Sequence, residues 1–473
     1  MMILITILVY FAALFLFSRL TNKNADNDTF FRGNRKSPWY MVAFGMVGAS
    51  ISGVTFVSVP GMVMRSDMTY LQTCLGFIFG YAAVAFILLP VYYRHDLTTI
   101  YSYLDKRLGT GAYKTGSWFF ILSKMTGAAV RFYVVCIILQ QYVFDSLDIP
   151  FPATVVTMVS LIWLYTRSGG IKTLVWTDTF QTICLFSALV LILLTASKSL
   201  GAGLTDVLNT VAESDMSRIF VFEDPRSTQY FWKQFLSGIF IVVVMTGLDQ
   251  DMMQKNLTCK TLREAQKDMC TYGFAFFPAN FLFLSLGVML AMLAESNGIA
   301  LPHSGDELLP MFAASGYMGQ MVVVMFTIGI VAASFSSADS ALTSLTTCCC
   351  IDIFNRPSDE SFRKKVHFSL AFIFAAFILC FKHVNSTSVI DAIYIMCSYT
   401  YGPLLGLFAF ALFTRRMPLG HLVPVVAIVS PCLCFGVDCV SQYLWNYRFG
   451  YELLMLNGAL TFSGLWLLSV GRR

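Results

Sequence analysis

Gly48-Ala49-Ser50-Ile51-Ser52-Gly53-Val54-Thr55, followed by Pro60-Gly61, stands in the middle of an apolar run over residues 39–64. A helix of that length crosses a hydrocarbon core of roughly 30 Å. Glycines, hydroxyls and a proline at its centre suit a helix interrupted near the bilayer midplane, where freed backbone groups can line a binding site. The same small residues also suit close helix packing. On its own the stretch carries both readings.

The rest of the chain says what surrounds it. Of 473 residues, 57% are hydrophobic and only 12% are charged, against about 25% charged in soluble globular proteins. So few charges cannot solubilise a surface this large, and the missing solvent is lipid. Apolar stretches of about 20 residues recur along the whole length. No polar block is large enough for a separate soluble domain, so residues 1–473 are expected to form one membrane domain.

The expected fold is an all-α polytopic membrane protein with thirteen transmembrane helices. They fall at about 2–19, 39–64, 69–93, 112–144, 151–167, 174–198, 231–252, 270–294, 319–349, 366–382, 389–414, 421–445 and 450–471. Short cytoplasmic loops collect Lys and Arg. With the N-terminus outside and the C-terminus inside, the cytoplasmic segments hold 23 of the 32 basic residues, Lys255 among them, and the outside segments hold seven, including Lys382 and Arg448. Lys124 and Arg131 remain within the membrane. The net charge of +5 thus reflects topology rather than nucleic-acid binding. Thirteen spans divide into a leading helix (2–19), two inverted five-helix repeats (39–198 and 231–414) forming a LeuT-like core, and two trailing helices (421–471). Such cores bind their ligands at interrupted helices near the midplane.

Catalytic constellations are absent: the chain has no Walker loop, metalloprotease helix or nucleophile elbow, and no enzyme activity is expected. The thirteen cysteines show no CxxC pair or metal-ligand spacing and read as small packing residues. The sequons at Asn27, Asn256 and Asn385 read as chance matches. The segment Met2 to Phe17 lacks a basic leader and a cleavage site and reads as a retained helix.

The buried charges are the sharpest local signals. Asp178, in Trp176-Thr177-Asp178 at the start of a span, is an intramembrane carboxylate and hence a functional candidate; the bland alternative is pairing with Lys172. Arg131, in Gly127-Ala128-Ala129-Val130-Arg131-Phe132-Tyr133, costs at least about 2.5 kcal/mol to hold at mid-span. Its fork suits a carboxylate, either of a ligand or of Asp339 or Asp178. Lys124 lies seven residues earlier and is expected to snorkel to the cytoplasm. Ala333, Ser336, Ser337 and Ser340 share one helix face, which can bind an ion or glue helices together.

Four patterns resemble the sodium:solute symporter family, the group containing bacterial proline, galactose and sialic-acid symporters and the animal sodium–glucose carriers. They are Thr99-Ile100-Tyr101-Ser102-Tyr103-Leu104-Asp105-Lys106-Arg107-Leu108; Ser168-Gly169-Gly170-Ile171-Lys172 with Trp176-Thr177-Asp178 and Gln181; Gly247-Leu248-Asp249-Gln250 with Gln254, Lys260, Glu264, Ala265 and Lys267; and Ala333, Ser336, Ser337 and Ser340 with Asp352. Their order and spacing match over roughly residues 35 to 415, and the pattern is most similar to the bacterial sialic-acid symporters.

The resemblance implies a sodium-coupled importer of a small organic solute in a bacterial cytoplasmic membrane. It requires sodium, the solute and the bilayer, but no nucleic acid and no obligate protein partner. It implies a main sodium site from the carbonyls of Gly48, Ile51 and Ala333 and the hydroxyls of Ser336 and Ser337. It implies a second sodium site at Asp178 with Ser336 and Ser340. Asp339 departs from the family pattern; it could tighten that second site, recruit a proton instead, or serve as counter-ion to Lys124 or Arg131. Arg131 resembles the carboxylate anchor of sialic-acid symporters, with Ser50, Ser52, Thr55 and Gln72 completing the expected pocket. Val242 and Met245 stand where galactose-type relatives carry polar and aromatic groups, which argues against a plain neutral hexose. The expected cargo is an acidic sugar such as N-acetylneuraminate. Another carboxylate solute or a neutral sugar is the alternative, and a membrane sensor with a separate signalling partner is the rival of another class.

Overall fold

The computed structural model describes residues 2–21, 26–201, 203–381, 389–447 and 449–470. Charges counted above at Lys23, Lys382, Arg448, Arg472 and Arg473, and the sequon at Asn385, lie outside them.

The chain is almost entirely helical. A first helix α1 (Met2–Thr21) and a short α2 (Asn27–Arg32) precede the interrupted pair α3 (Trp39–Ser50) and α4 (Gly53–Ser66). There follow α5 (Tyr70–Ala83), α6 (Leu89–Arg94), α7 (Ser102–Leu108), α8 (Thr110–Leu139), α9 (Phe151–Ser199) and α10 (Leu204–Glu213). A second bent pair, α11 (Phe231–Val242, extended by a π turn to Gly247) and α12 (Gln250–Asn256), leads into α13 (Leu262–Ser296) and α14 (Leu308–Ala313). The remainder is α15 (Gln320–Cys348), α16 (Glu360–Phe381), α17 (Val389–Phe413), α18 (Val423–Trp445) and α19 (Leu453–Leu467). Two-residue strands, β1 (Met417–Pro418) and β2 (Ser469–Val470), pair antiparallel beyond the ends of α17 and α19.

Eight helices among the described residues are long and apolar enough to cross a membrane, and ten if each bent pair counts as one span. The other three expected spans fall on shorter helical stretches: the apolar parts of α1 and α19, and the first part of α9. Length and apolarity alone therefore do not establish the number thirteen. Gly170, at φ 50°, divides α9; only glycine adopts that conformation without steric cost. Large apolar side chains such as Phe372, Phe413 and Leu467 project outward, as lipid-facing residues do.

Local chemistry explains both breaks. At the first, α3 stops at Ser50, Ile51 leaves helical geometry (φ −78°, ψ 79°), and Ser52 caps α4 by accepting from the Thr55 amide at 3.4 Å. The two halves meet at 60°. At the second, Asp249 caps α12 by accepting from the Asp251 amide at 2.8 Å, and the bend is 69°. Each cap satisfies an amide that a helix start leaves unpaired. The helix α15 packs against α1, α3, α4, α8, α9 and α12, and so carries its serine face into the centre of the bundle. Gly48 lets α3 press onto α9: a Cβ there would lie 1.8 Å from Thr182 Oγ1.

Candidate functional site

The broken helix and the serine-bearing helix meet where the first break exposes its carbonyls. Ser337 Oγ donates to Ala49 O at 3.0 Å across the contact and to Ala333 O, one turn back on its own helix, at 3.2 Å. Gly48, Ile51 and Ala333 are all buried there. Two backbone oxygens, Ala49 O and Ala333 O, thus meet one hydroxyl beside the break. Ser336, one residue away, turns instead to α9 and donates to Asp178 Oδ1 at 2.6 Å.

Asp178 is fully buried and paired, but its partner is not Lys172. Lys255 of α12 brings its Nζ to 2.8 Å from Asp178 Oδ2. Lys255 was expected among the cytoplasmic charges; it is 1% exposed. Every residue from Gln250 to Asn256 is buried, because the bend turns α12 back into the bundle. Asn256 in that segment donates to Asp268 at 2.5 Å, and so occupied it cannot carry a glycan.

Asp339 is buried beside this pair and accepts from Tyr165 OH at 2.5 Å and from Ser340 Oγ at 3.2 Å. Among the described residues it has no ion pair, and neither Lys124 nor Arg131 is its counter-ion. The structure therefore joins Ser336 to Asp178 and Ser340 to Asp339, and adds an ammonium that was not expected.

A cavity of about 110 Å³ opens beside the first break. Ser50, Ser52, Thr55 and Arg131 line it, with Val242 and Met245 opposite. Ser50 Oγ is hydrogen-bonded to Tyr272 OH, and the Tyr272 ring meets Tyr81 edge-on at 4.4 Å between centroids. Arg131 is partly buried and makes no ion pair among the described residues, so the structural pairing with Asp178 or Asp339 is not formed. Gln72 lies elsewhere. Its amide donates to Gln229 O at 2.9 Å and accepts from the Val221 amide at 3.1 Å, pinning the loop that carries Val221 and Gln229 to α5.

Lys124 corrects another expectation. It is 7% exposed and lines the cavity rather than reaching the cytoplasm. Its Nζ sits 2.7 Å from Asp251 and 3.2 Å from Asp249, and Asp249 also accepts from Tyr401 OH at 2.6 Å. A lone ammonium at this depth would be costly, and two carboxylates supply the compensation.

Sequence reading missed Lys124's partners, Lys255 and the tyrosines Tyr70, Tyr81, Tyr272, Tyr394 and Tyr401. One signal was present: Thr246-Gly247-Leu248-Asp249 has a glycine shortly before a capping residue, as Gly48 precedes Ser52. Reading it as a break would have turned Asp251 and Lys255, spaced i, i+4, into the interior.

Similarity to known proteins points the same way. The chain is 25% identical over 455 residues to the sodium/sialic acid symporter SiaT of Proteus mirabilis, covering 89% of this chain and 87% of that protein. It is 25% identical over 467 residues to the sodium/sialic acid symporter NanT of Aliivibrio fischeri, covering 92% and 87%. A solved Na+-coupled sialic acid symporter, in a substrate-bound outward-open state, matches with a TM-score of 0.80 at 21% identity over 99% of this chain and 97% of that one. A nucleobase-cation-symport-1 family transporter in a closed conformation matches at 0.57 and 15% identity, covering 93% of each. These two likenesses establish the LeuT-like fold. The Sodium:solute symporter family model matches residues 30–420, most of the chain and both broken helices, and this multi-pass membrane protein belongs to that family.

Proposed function

We propose that this chain imports a small carboxylate-bearing solute, an acidic sugar of the sialic-acid class, driven by sodium. The observation that carries the reading is the meeting of Ser337 with the carbonyl of Ala49 at the broken helix, beside a cavity with an unpaired arginine. Sodium takes the carbonyls of Gly48, Ile51 and Ala333 and the hydroxyls of Ser336 and Ser337. In doing so it ties α3 to α15 and completes the cavity wall. Arg131 anchors the solute carboxylate, and Ser50, Ser52 and Thr55 bind its polar groups. Asp178, Asp339, Ser336 and Ser340 form the second cation site. The relatives named as sodium/sialic acid symporters support this choice of cargo.

In this reading, residues 39–198 and 231–414 are the inverted repeats, each opening on a broken helix. The N-terminus is outside, the C-terminus is inside, and the membrane is a bacterial cytoplasmic membrane. The chain moves its solute without chemically altering it. Each sodium charge carried inward adds about 2.3 kcal/mol per 100 mV of membrane potential. The number of cations per cycle therefore sets how steeply the solute accumulates.

A smaller carboxylate is the second reading, favoured by the apolar side chains of Val242 and Met245 in the cavity lining. The test is uptake of labelled N-acetylneuraminate by proteoliposomes under an inward sodium gradient, with short monocarboxylates as competitors. Accumulation above the outside concentration in sodium, lost when choline replaces it on both sides, is the expected result. Equal uptake in choline would overturn sodium coupling, and competition by a short monocarboxylate alone would move the cargo to the second reading.

A further inference from the structure

A chain of alternating buried charges links Asp178, one of the two carboxylates of the second cation site, to the solute cavity. It runs from Asp178 to Lys255 at 2.8 Å, then along α12 to Asp251, from Asp251 to Lys124 at 2.7 Å, and from Lys124 to Asp249 at 3.2 Å. Asp249, Asp251 and Lys124 border the cavity; Asp178 and Lys255 do not. None of the five residues is more than 7% exposed.

Two details make this chain a movable device rather than a fixed brace. Lys255 Nζ stands 2.8 Å from Asp178 Oδ2, and among the described residues no second partner holds the ammonium. Asp251 spends one oxygen on Lys124, while its other, Oδ1, is buried without a hydrogen-bond partner among the described residues. Asp251 and Lys255 stand at i and i+4 on α12, which makes them neighbours on one helix face. The free oxygen is thus a second berth within reach of the Lys255 ammonium. A buried ammonium cannot leave one carboxylate without another to receive it, since an uncompensated buried charge is strongly destabilising.

We propose that Lys255 is a tethered cation that sodium displaces. A sodium ion entering beside Asp178 and Ser336 drives the ammonium from Asp178 to Asp251, and Lys124, now sharing Asp251 with a like charge, turns its ammonium toward the solute. Lys255 is then a positioning residue away from the cavity lining, and Asp251, which borders the cavity, passes occupancy of the second site on to Lys124. The coupling is reciprocal, so an anionic solute drawing on Lys124 frees Asp251 for Lys255 and favours sodium at Asp178. This inference rests on the symport reading above.

The experiment uses purified full-length protein in detergent. N-acetylneuraminate binding is measured by calorimetry in sodium and in potassium, and sodium binding by thermal-shift titration. The wild-type chain is expected to bind the solute about ten-fold or more tightly in sodium, within the usual range of coupling. Lys255→Gln removes the competing cation; it raises sodium affinity about ten-fold and brings the ratio of solute affinities toward one. Asp251→Asn removes the berth; it lowers sodium affinity about ten-fold and also brings that ratio toward one, while Asp251→Glu restores both. Opposite shifts in sodium affinity from two neighbours on one helix cannot arise from a shared loss of packing. The relay is overturned if Lys255→Gln leaves sodium affinity unchanged or lower, or if either variant keeps the wild-type ratio. Sodium-independent solute binding by the wild-type chain would instead overturn the symport reading, and the relay with it.

Discussion

Tyr70 and Tyr394 join hydroxyls at 2.9 Å, linking α5 to α17 on the wall of the central cavity. Tyr70 also borders a second cavity lined by Arg65 and Tyr451, and the Tyr451 ring lies 4.8 Å from that of Tyr394. Tyr70 is therefore common to both cavities, and in the symport reading proposed above the tyrosine pair is the partition that a solute passes.

That partition predicts a kinetic effect. Tyr394→Phe removes one hydroxyl and leaves the ring contacts, weakening the closed state by about 1 kcal/mol. Release of bound solute toward the outer side is expected to quicken about five-fold, with Tm nearly unchanged. Tyr70→Phe and the double variant should match it, because one lost hydrogen bond is common to all three. Stopped-flow release of labelled solute checks this; additive effects would separate the two residues.

Arg131 predicts a loss of affinity without a loss of fold. It has no ion pair among the described residues to give up, so Arg131→Ala should leave the thermal midpoint within a degree or two. Solute binding should weaken roughly 10- to 100-fold, the value of a charged hydrogen bond of about 1.5–3 kcal/mol. Arg131→Lys should recover only part, since a point charge does not reproduce the planar fork. Calorimetry and a melting curve on the same sample decide it.

Lys124 predicts the reverse. Lys124→Met leaves Asp249 and Asp251 buried without their shared cation, and breaking such a pair from one side costs about 3–5 kcal/mol. The melting temperature should fall markedly. Lys124→Met with Asp251→Asn should regain part of it, because one of the two orphaned charges is then gone. A double variant no more stable than the single would show that Asp251 carries none of the cost.

Gly48 predicts a steric failure at the break. In Gly48→Ala the new Cβ meets Thr182 Oγ1 at 1.8 Å and Thr182 Cβ at 2.7 Å, and overpacking of this kind costs about 1–3 kcal/mol. Relief requires α3 to move off α9, which carries its carbonyls away from Ser337. Sodium-dependent stabilisation should shrink together with Tm. Preserved sodium stabilisation at lowered Tm would place the ion elsewhere.

The amino-acid sequence by itself determined the environment and marked the place of the first hinge. Apolar run length and scarcity of charge dictate lipid as the solvent, and the small and hydroxyl residues from Gly48 to Thr55 mark where a helix can break or pack closely, a choice that the Ser52 cap decides for the break. Those are local properties: a cap reaches two or three residues, and a span is a contiguous stretch. Pairing of the buried charges was decided only by tertiary structure. Asp178 and Lys255 are 77 positions apart and Lys124 and Asp249 are 125 apart, and nothing local distinguishes Lys172 from Lys255 as a partner. The same holds for Gln72, whose polarity was legible but whose partners on the loop that carries Val221 and Gln229 were not. A buried charge takes whichever opposite charge the packed helices bring within reach, and the 69° turn at Asp249 brought Lys255.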